Sequence, residues 1–182
     1  MFANDLLKGK KILITGGGTG LGKSIGRRYL ELGAHLVICG RRQEVLAETA
    51  AGFRQAVAGA RVDTFACDLR EAAQVESMMD GIWQTGPLDV LVNNAAANFI
   101  ARTDKLSPRA VDAVLGIVLH GSFYCTIAAG RRWIEGSHAG NVISTVSAPV
   151  ITGQAFTAPS AAAKAGVLAM TRSLAVEWGP KN

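Results

Sequence analysis

Short, almost unbroken apolar runs alternate along this chain with longer stretches in which apolar residues recur every three or four positions. The runs KKILIT (10–15), HLVICG (35–40), RVDTFAC (61–67), LDVLVN (88–93) and GNVISTVS (140–147) have the length and composition of strands. Between them, GLGKSIGRRYLELG, RQEVLAETAAGFRQAVAG, EAAQVESMMDGIWQTG and the long SPRAVDAVLGIVLHGSFYCTIAAGRRWIEG space Leu, Val, Ala and Met with helical period. A last helix is expected from about Pro159 to Trp178, opened by a proline in its first turn and stopped at GPKN. Strands separated by helices of this length imply βαβ units. Four of these runs are nearly continuous and apolar, the signature of parallel strands covered on both faces. The pattern therefore predicts one α/β domain over residues 1–182, a doubly wound parallel sheet with helices on both faces. That rhythm calls for a further strand after the last helix. The strand at 140–147 is thus expected at an open sheet edge, with the C-terminal strands of the fold missing from these residues or a partner over that edge.

Composition narrows the function classes. With 182 residues, 49% of them apolar and 18% charged, the chain can bury a core and does not read as disordered. Nineteen basic residues against fourteen acidic ones give +5, but the basic pairs at 26–28, 40–42 and 130–132 are scattered. No basic stripe for nucleic acid is formed. Cys39, Cys67 and Cys125 lack metal-ligand spacing and any CxxC, so no metal site is expected and the compartment reads as reducing and cytoplasmic. The N-terminus MFANDLLKGK has no apolar core of signal-peptide length, and no bilayer-spanning segment is expected.

The first strand runs directly into ITGGGTGLGKS, which opens the first helix. Glycines there permit positive φ and bring backbone N–H groups close to a phosphate at the positive end of a helix. The spacing is T-G-x-x-x-G-x-G on Thr15, Gly16, Gly20 and Gly22, rather than a clean G-x-G-x-x-G. Thr15, Gly16, Gly18, Thr19, Gly20, Leu21 and Gly22 are the candidate dinucleotide contacts, against the plainer reading of an ordinary glycine-rich βα turn. The second strand ends in Gly40-Arg41-Arg42, where an NAD site would place a carboxylate for the ribose 2′-OH. A guanidinium there suits the 2′-phosphate of NADP(H), with Arg41 the candidate contact; the alternative is a solvated arginine pair.

With CDL at 67–69 and NNAAA at 93–97, these motifs resemble the short-chain dehydrogenase/reductase family, over Gly9 to Pro180. The resemblance implies a Rossmann-type fold. It implies that Asp68 and Leu69 contact the adenine end of the cofactor and that Asn94 and Ala95 line its nicotinamide side. From the residues alone, Asp68 is expected to cap the next helix, and the two roles are compatible. Ordinary members carry Tyr-x-x-x-Lys, a Ser thirteen residues before the Tyr, and an Asn in the preceding long helix. Lys164 and Ser147 match, but Ser160 stands at the Tyr position and Val118 at the Asn position.

A phenol, with a pKa of about 10, can be lowered by a neighbouring ammonium and protonate a carbonyl oxygen, whereas a serine hydroxyl is far too weak an acid. Simple ketone reduction is therefore disfavoured. The Ser-x-x-x-Lys arrangement, with NNAAANF and PSAAAKAGVLAMTRSLAVEWG, is similar to the 2,4-dienoyl-CoA reductase subgroup. Such enzymes deliver hydride from NADPH to the far end of a conjugated dienoyl thioester and need hydrogen-bond donors at the thioester oxygen. The subgroup's donor positions fall here on Ser147 and His120. The resemblance implies that Lys164 holds the nicotinamide ribose, that Ser160 bonds it or the substrate, and that Ser147 and His120 stabilise the dienolate. His120 reads equally as a helix-face residue packed against the cofactor loop or a subunit partner. The implied partners are an acyl-CoA-like small molecule and a second copy of the chain, in a dimer or tetramer through the last two long helices. A reductase for another substrate and a catalytically silent NADP-binding protein are the alternatives.

Overall fold

In the computed structural model, which describes residues 2–3 and 5–181, five strands form one parallel sheet. They are β1 (Lys11–Thr15), β2 (His35–Gly40), β3 (Arg61–Ala66), β4 (Val90–Asn93) and β5 (Asn141–Ser144), in the spatial order β3-β2-β1-β4-β5. Each lies inside a run expected from the sequence. The register pairs Leu13 with Val37 on one side of β1 and with Leu91 on the other. The crossover helices are α1 (Gly20–Glu31), α2 (Gln43–Ala56) and α3 (Ala72–Trp83).

Both faces of the sheet are covered. On one face Leu13, Val37 and Leu91 pack with Val75, Met79 and Ile82 of α3. On the other, Ile12, Ile14, Leu36 and Ile38 pack with Leu30 of α1 and with Leu46 and Phe53 of α2. Successive strand residues serve opposite faces, so a doubly covered strand must be apolar throughout. Each such fully buried aliphatic side chain contributes about 1.5–3 kcal/mol.

The long helical stretch differs from the expectation of one uninterrupted helix. It consists of α4 (Pro108–Leu115), a π turn over Gly116–His120 and α5 (Gly121–Glu135). Ser107 caps α4 by accepting from Ala110 N at 3.2 Å, and Pro108 takes the first position, where no N–H is needed. The extra residue of a π turn leaves no mark in a periodicity already carried by Val, Leu and Ile. By length and apolarity this stretch, Pro108–Glu135, is sufficient to cross a bilayer, which corrects the expectation of no such segment. Half of its most apolar window is buried in the fold, and α5 packs Cys125, Ala128, Ala129 and Trp133 into the core on the α3 face.

A short helix α6 (Pro149–Thr152) and a 3-10 turn at Thr103–Lys105 lie in segments to which the pattern assigned no element. The last helix, α7 (Ala158–Trp178), buries Pro159, Ala163, Lys164, Val167 and Met170 along one stripe. Ala163 packs against Val114 of α4 and Val118 of the π turn. Small residues set the close approach: a Cβ on Gly166 would stand 2.8 Å from Leu119. β5 forms one edge of the described sheet, as the βαβ rhythm required, and leaves Ile143 partly exposed.

Candidate active site

The strand order reverses between β1 and β4, and a cleft of about 400 Å³ opens beyond their C-terminal ends. The loop after β1 forms its floor. Gly16 turns at φ +66° and Gly20 at φ +53°, in the left-handed region open to glycine. A Cβ on Gly22 would stand 2.6 Å from both Asn94 Nδ2 and the Gly16 carbonyl, so only glycine fits there. Thr49 of α2 pins the loop by donating to Gly18 O at 2.8 Å. At the start of α1, Thr19 makes no side-chain cap bond and the first turn holds no acidic residue. Its first N–H groups are therefore available to an anion.

Gly16, Gly18, Thr19, Gly20, Leu21 and Gly22 all line this cleft, and so do Arg41, Asp68, Leu69, Asn94 and Ala95. Thr15 does not. It is buried beneath the loop, where its hydroxyl accepts from Asn94 N and Ala95 N at 3.0 Å each and donates to Val92 O at 3.3 Å. Asn94 Nδ2 returns a bond to Thr15 O at 2.9 Å. Thr15 thus ties β1 to β4 instead of touching a ligand.

Sequence reasoning overlooked Val45, Leu46, Ala96 and Ile117, whose apolar side chains complete the walls. Cys39 and Cys67, noted in the sequence only for lacking metal-ligand spacing, also line the cleft. Burial holds both thiols protonated, pushed up to about 12 and about 11. The signal for Cys39 and Cys67 was adjacency, since they sit one residue before Gly40 and Asp68. Asp68 carries its own cation: Arg70 donates through Nε and Nη2 to both carboxylate oxygens, at 2.5–3.1 Å. That bond, chiefly, holds the Asp68 carboxyl below its usual range.

The second group of candidates lies around the start of α7. Lys164 is buried, and its Nζ donates to the Thr145 carbonyl at 2.5 Å and to Thr145 Oγ1 at 3.2 Å. Desolvation lowers its pKa. Ser160 sits one turn earlier on the same helix, half-buried. Ser147 is exposed in the loop between β5 and α6. His120 is exposed as well, and its ring lies 6.2 Å from that of Tyr124, one turn along. Among the described residues lining the cleft, the π turn contributes Ile117 and not His120, and Lys164, Ser160 and Ser147 are outside it. The structure therefore gathers the candidate dinucleotide contacts other than Thr15 and Lys164 in one cleft, and leaves Lys164, Ser160, Ser147 and His120 outside its lining.

The model of the short chain dehydrogenase family matches residues 10–182. The chain belongs to this family. Over 173 residues it is 42% identical to a Bacillus subtilis protein described as a probable 2,4-dienoyl-CoA reductase that produces (2E)-enoyl-CoA. That match covers 94% of this chain and 67% of the relative. A Caenorhabditis elegans protein described as probable 2,4-dienoyl-CoA reductase 3, producing (3E)-enoyl-CoA, is 42% identical over 94% of this chain, which spans only 56% of it. The crystal structure of a gluconate 5-dehydrogenase from Burkholderia cenocepacia in complex with NADP and tartrate superposes with a TM-score of 0.90 at 33% identity. It covers 97% of this chain, which in turn covers 68% of that one.

As a short-chain dehydrogenase the chain shows a departure that its own packing explains. Val118, at the position of the family's Asn, is fully buried against Val114 and Ala163. Its carbonyl is satisfied by Ser122 Oγ at 2.7 Å, within the helix. An apolar contact between the π turn and α7 occupies the place where a polar side chain was expected.

Proposed function

We propose that this chain carries the nucleotide-binding and catalytic part of an NADPH-dependent reductase of conjugated enoyl or dienoyl thioesters. The observation that carries the reading is the pairing of a buried Lys164 with Ser160, a hydroxyl too weak to serve as the proton donor to a carbonyl. The relatives described as 2,4-dienoyl-CoA reductases support it.

The cleft fits a dinucleotide. Gly22 leaves no room for a Cβ, the helix N-terminus is uncapped and free of acidic residues, and Arg41 lines the far end. Gly16 to Gly22 would hold the pyrophosphate, Asp68 and Leu69 the adenine, and Asn94 and Ala95 the nicotinamide side. Arg41 would take a 2′-phosphate, because no carboxylate lines the end of β2 to accept from a ribose hydroxyl. NADPH, when bound, supplies the hydride. Lys164 orients the nicotinamide ribose through the N–H that Thr145 leaves unused. Charge then develops on the thioester oxygen of the substrate, and the hydroxyls of Ser160 and Ser147 are the donors assigned to it. His120, exposed beside Tyr124 and, like Ser147, outside the cleft lining, is the third donor assigned to that oxygen.

A second copy is assigned to α5 and α7, which expose Phe123, Ile127 and Val176. The working compartment is assigned to the cytoplasm, consistent with three free, buried cysteines.

The test is NADPH oxidation at 340 nm on addition of a 2,4-dienoyl-CoA to the full chain. Turnover is expected with conjugated acyl-CoA and not with simple ketones. Absence of turnover with every conjugated acyl-CoA would overturn the reading in favour of an NADP-binding protein without activity. Turnover of ketones alone would reassign the substrate. After hydride addition at the far end of the diene, a proton added at C2 yields the 3-enoyl product and at C4 the 2-enoyl product. The double-bond position therefore reports where the proton arrives.

A further inference from the structure

Lys164 is tied to the sheet through one residue that none of the motifs singles out. Both of its hydrogen bonds go to Thr145, one to the carbonyl at 2.5 Å and one to Oγ1 at 3.2 Å. No carboxylate bonds it among the described residues. An ammonium has three N–H groups and no lone pair. With two of them directed onto Thr145, a single N–H remains for a ligand, and its direction is set by where Thr145 stands.

Thr145 is itself fixed. It lies one residue beyond β5, and its backbone N donates to Asn93 O at 3.0 Å while its hydroxyl donates to the same carbonyl at 3.3 Å. Since the hydroxyl hydrogen is committed to Asn93, the Oγ1 lone pairs are what remain for Lys164. Asn93 is buried at the end of β4, and its Nδ2 donates to Thr126 Oγ1 of α5 at 2.9 Å. The chain of contacts Thr126–Asn93–Thr145–Lys164 thus links α5, β4, the end of β5 and α7. Packing alone would not demand the hydroxyl: Ala163 and Val167 already bury this face of α7.

We propose that Thr145 is a positioning residue for Lys164, holding its ammonium so that the remaining N–H meets the nicotinamide ribose. This rests on the reading of Lys164 as the ribose partner. Valine at this position keeps the branched shape and removes the acceptor. Serine keeps the acceptor.

The experiment measures binding of NADPH and of 2′,5′-ADP, which lacks the nicotinamide ribose, to the full chain and to its T145V, T145A, T145S and K164M variants. Only variants with wild-type circular dichroism are compared, and T145A serves if T145V does not fold. T145V is expected to weaken NADPH roughly tenfold, the worth of one hydrogen bond to a charged group. It should leave 2′,5′-ADP within about twofold of wild type, and T145S should restore NADPH binding. Wild-type NADPH binding by T145V alongside a defective K164M would overturn the role of Thr145 and leave that of Lys164 intact. Equal loss of both ligands in T145V would also overturn it, since that is the mark of general damage to the cleft. Wild-type NADPH binding by K164M would overturn the ribose reading and this inference together.

Discussion

Asn94 and Thr15 bond each other twice, Asn94 N to Thr15 Oγ1 at 3.0 Å and Asn94 Nδ2 to Thr15 O at 2.9 Å. With Ala95 N on the same hydroxyl, this is where β1 and β4 are joined just below the cleft. Replacing Thr15 by Val leaves two backbone N–H groups without their acceptor. T15V is expected to lose about 1–3 kcal/mol of stability, read from urea denaturation, with nucleotide affinity falling as the loop loosens.

Gly22 leaves no room for a side chain, because a Cβ would stand 2.6 Å from both Asn94 Nδ2 and Gly16 O. G22A should therefore displace Asn94 or the turn. NADPH binding by G22A is expected to fall more than about tenfold, with a stability cost of about 1–3 kcal/mol from overpacking. Unchanged affinity in a titration would contradict the cradle geometry.

Arg41 and Asp68 line the same cleft, and Arg70 already neutralises Asp68, so the Arg41 guanidinium is left for a ligand. R41A should weaken NADPH roughly tenfold and leave NADH nearly unchanged. Parallel fluorescence titrations with the two nucleotides check this. Equal effects on both would reassign Arg41 to the pyrophosphate or to solvent.

Burial lowers the pKa of Lys164 from 10.5 without an opposing carboxylate. For a base, a depressed folded pKa means that the charged form is disfavoured by folding. The destabilisation is present in full below the folded pKa. It is relieved as pH rises through that value towards 10.5, where the unfolded chain still binds the proton. K164M should therefore be more stable than wild type at neutral pH, with the difference shrinking towards pH 10. Urea denaturation of both proteins at pH 7 and pH 10 measures it, and a difference that grows with pH would contradict the sign.

The acidic side follows Asp68. Its folded pKa is depressed chiefly by Arg70, so its contribution is present above the unfolded value of 3.8 and is lost as pH falls through the folded one. R70Q should raise the Asp68 pKa towards its ordinary value. The acid limb of nucleotide binding would then move to higher pH, as followed by titration between pH 3 and pH 6.

Local patterning determined much of this protein. The apolar runs named β1, β2 and β4 because a strand packed on both faces has no position to give to a polar residue, and the glycines of the first βα turn were legible because Gly16 and Gly20 take a left-handed backbone and Gly22 has no room for a Cβ. Arg41 was legible from its place after β2. Tertiary structure alone decided the rest. Thr15 belongs to a motif but serves the joint between β1 and β4, since its hydroxyl meets backbone groups some eighty residues away. The π turn disappears within an apolar helix, and it leaves His120 exposed beside Tyr124 and outside the cleft lining. The partner of Lys164 is Thr145, nineteen residues earlier and on another element. Period and spacing act along the chain, whereas hydrogen-bond partners are chosen across it, once burial has removed water as the alternative.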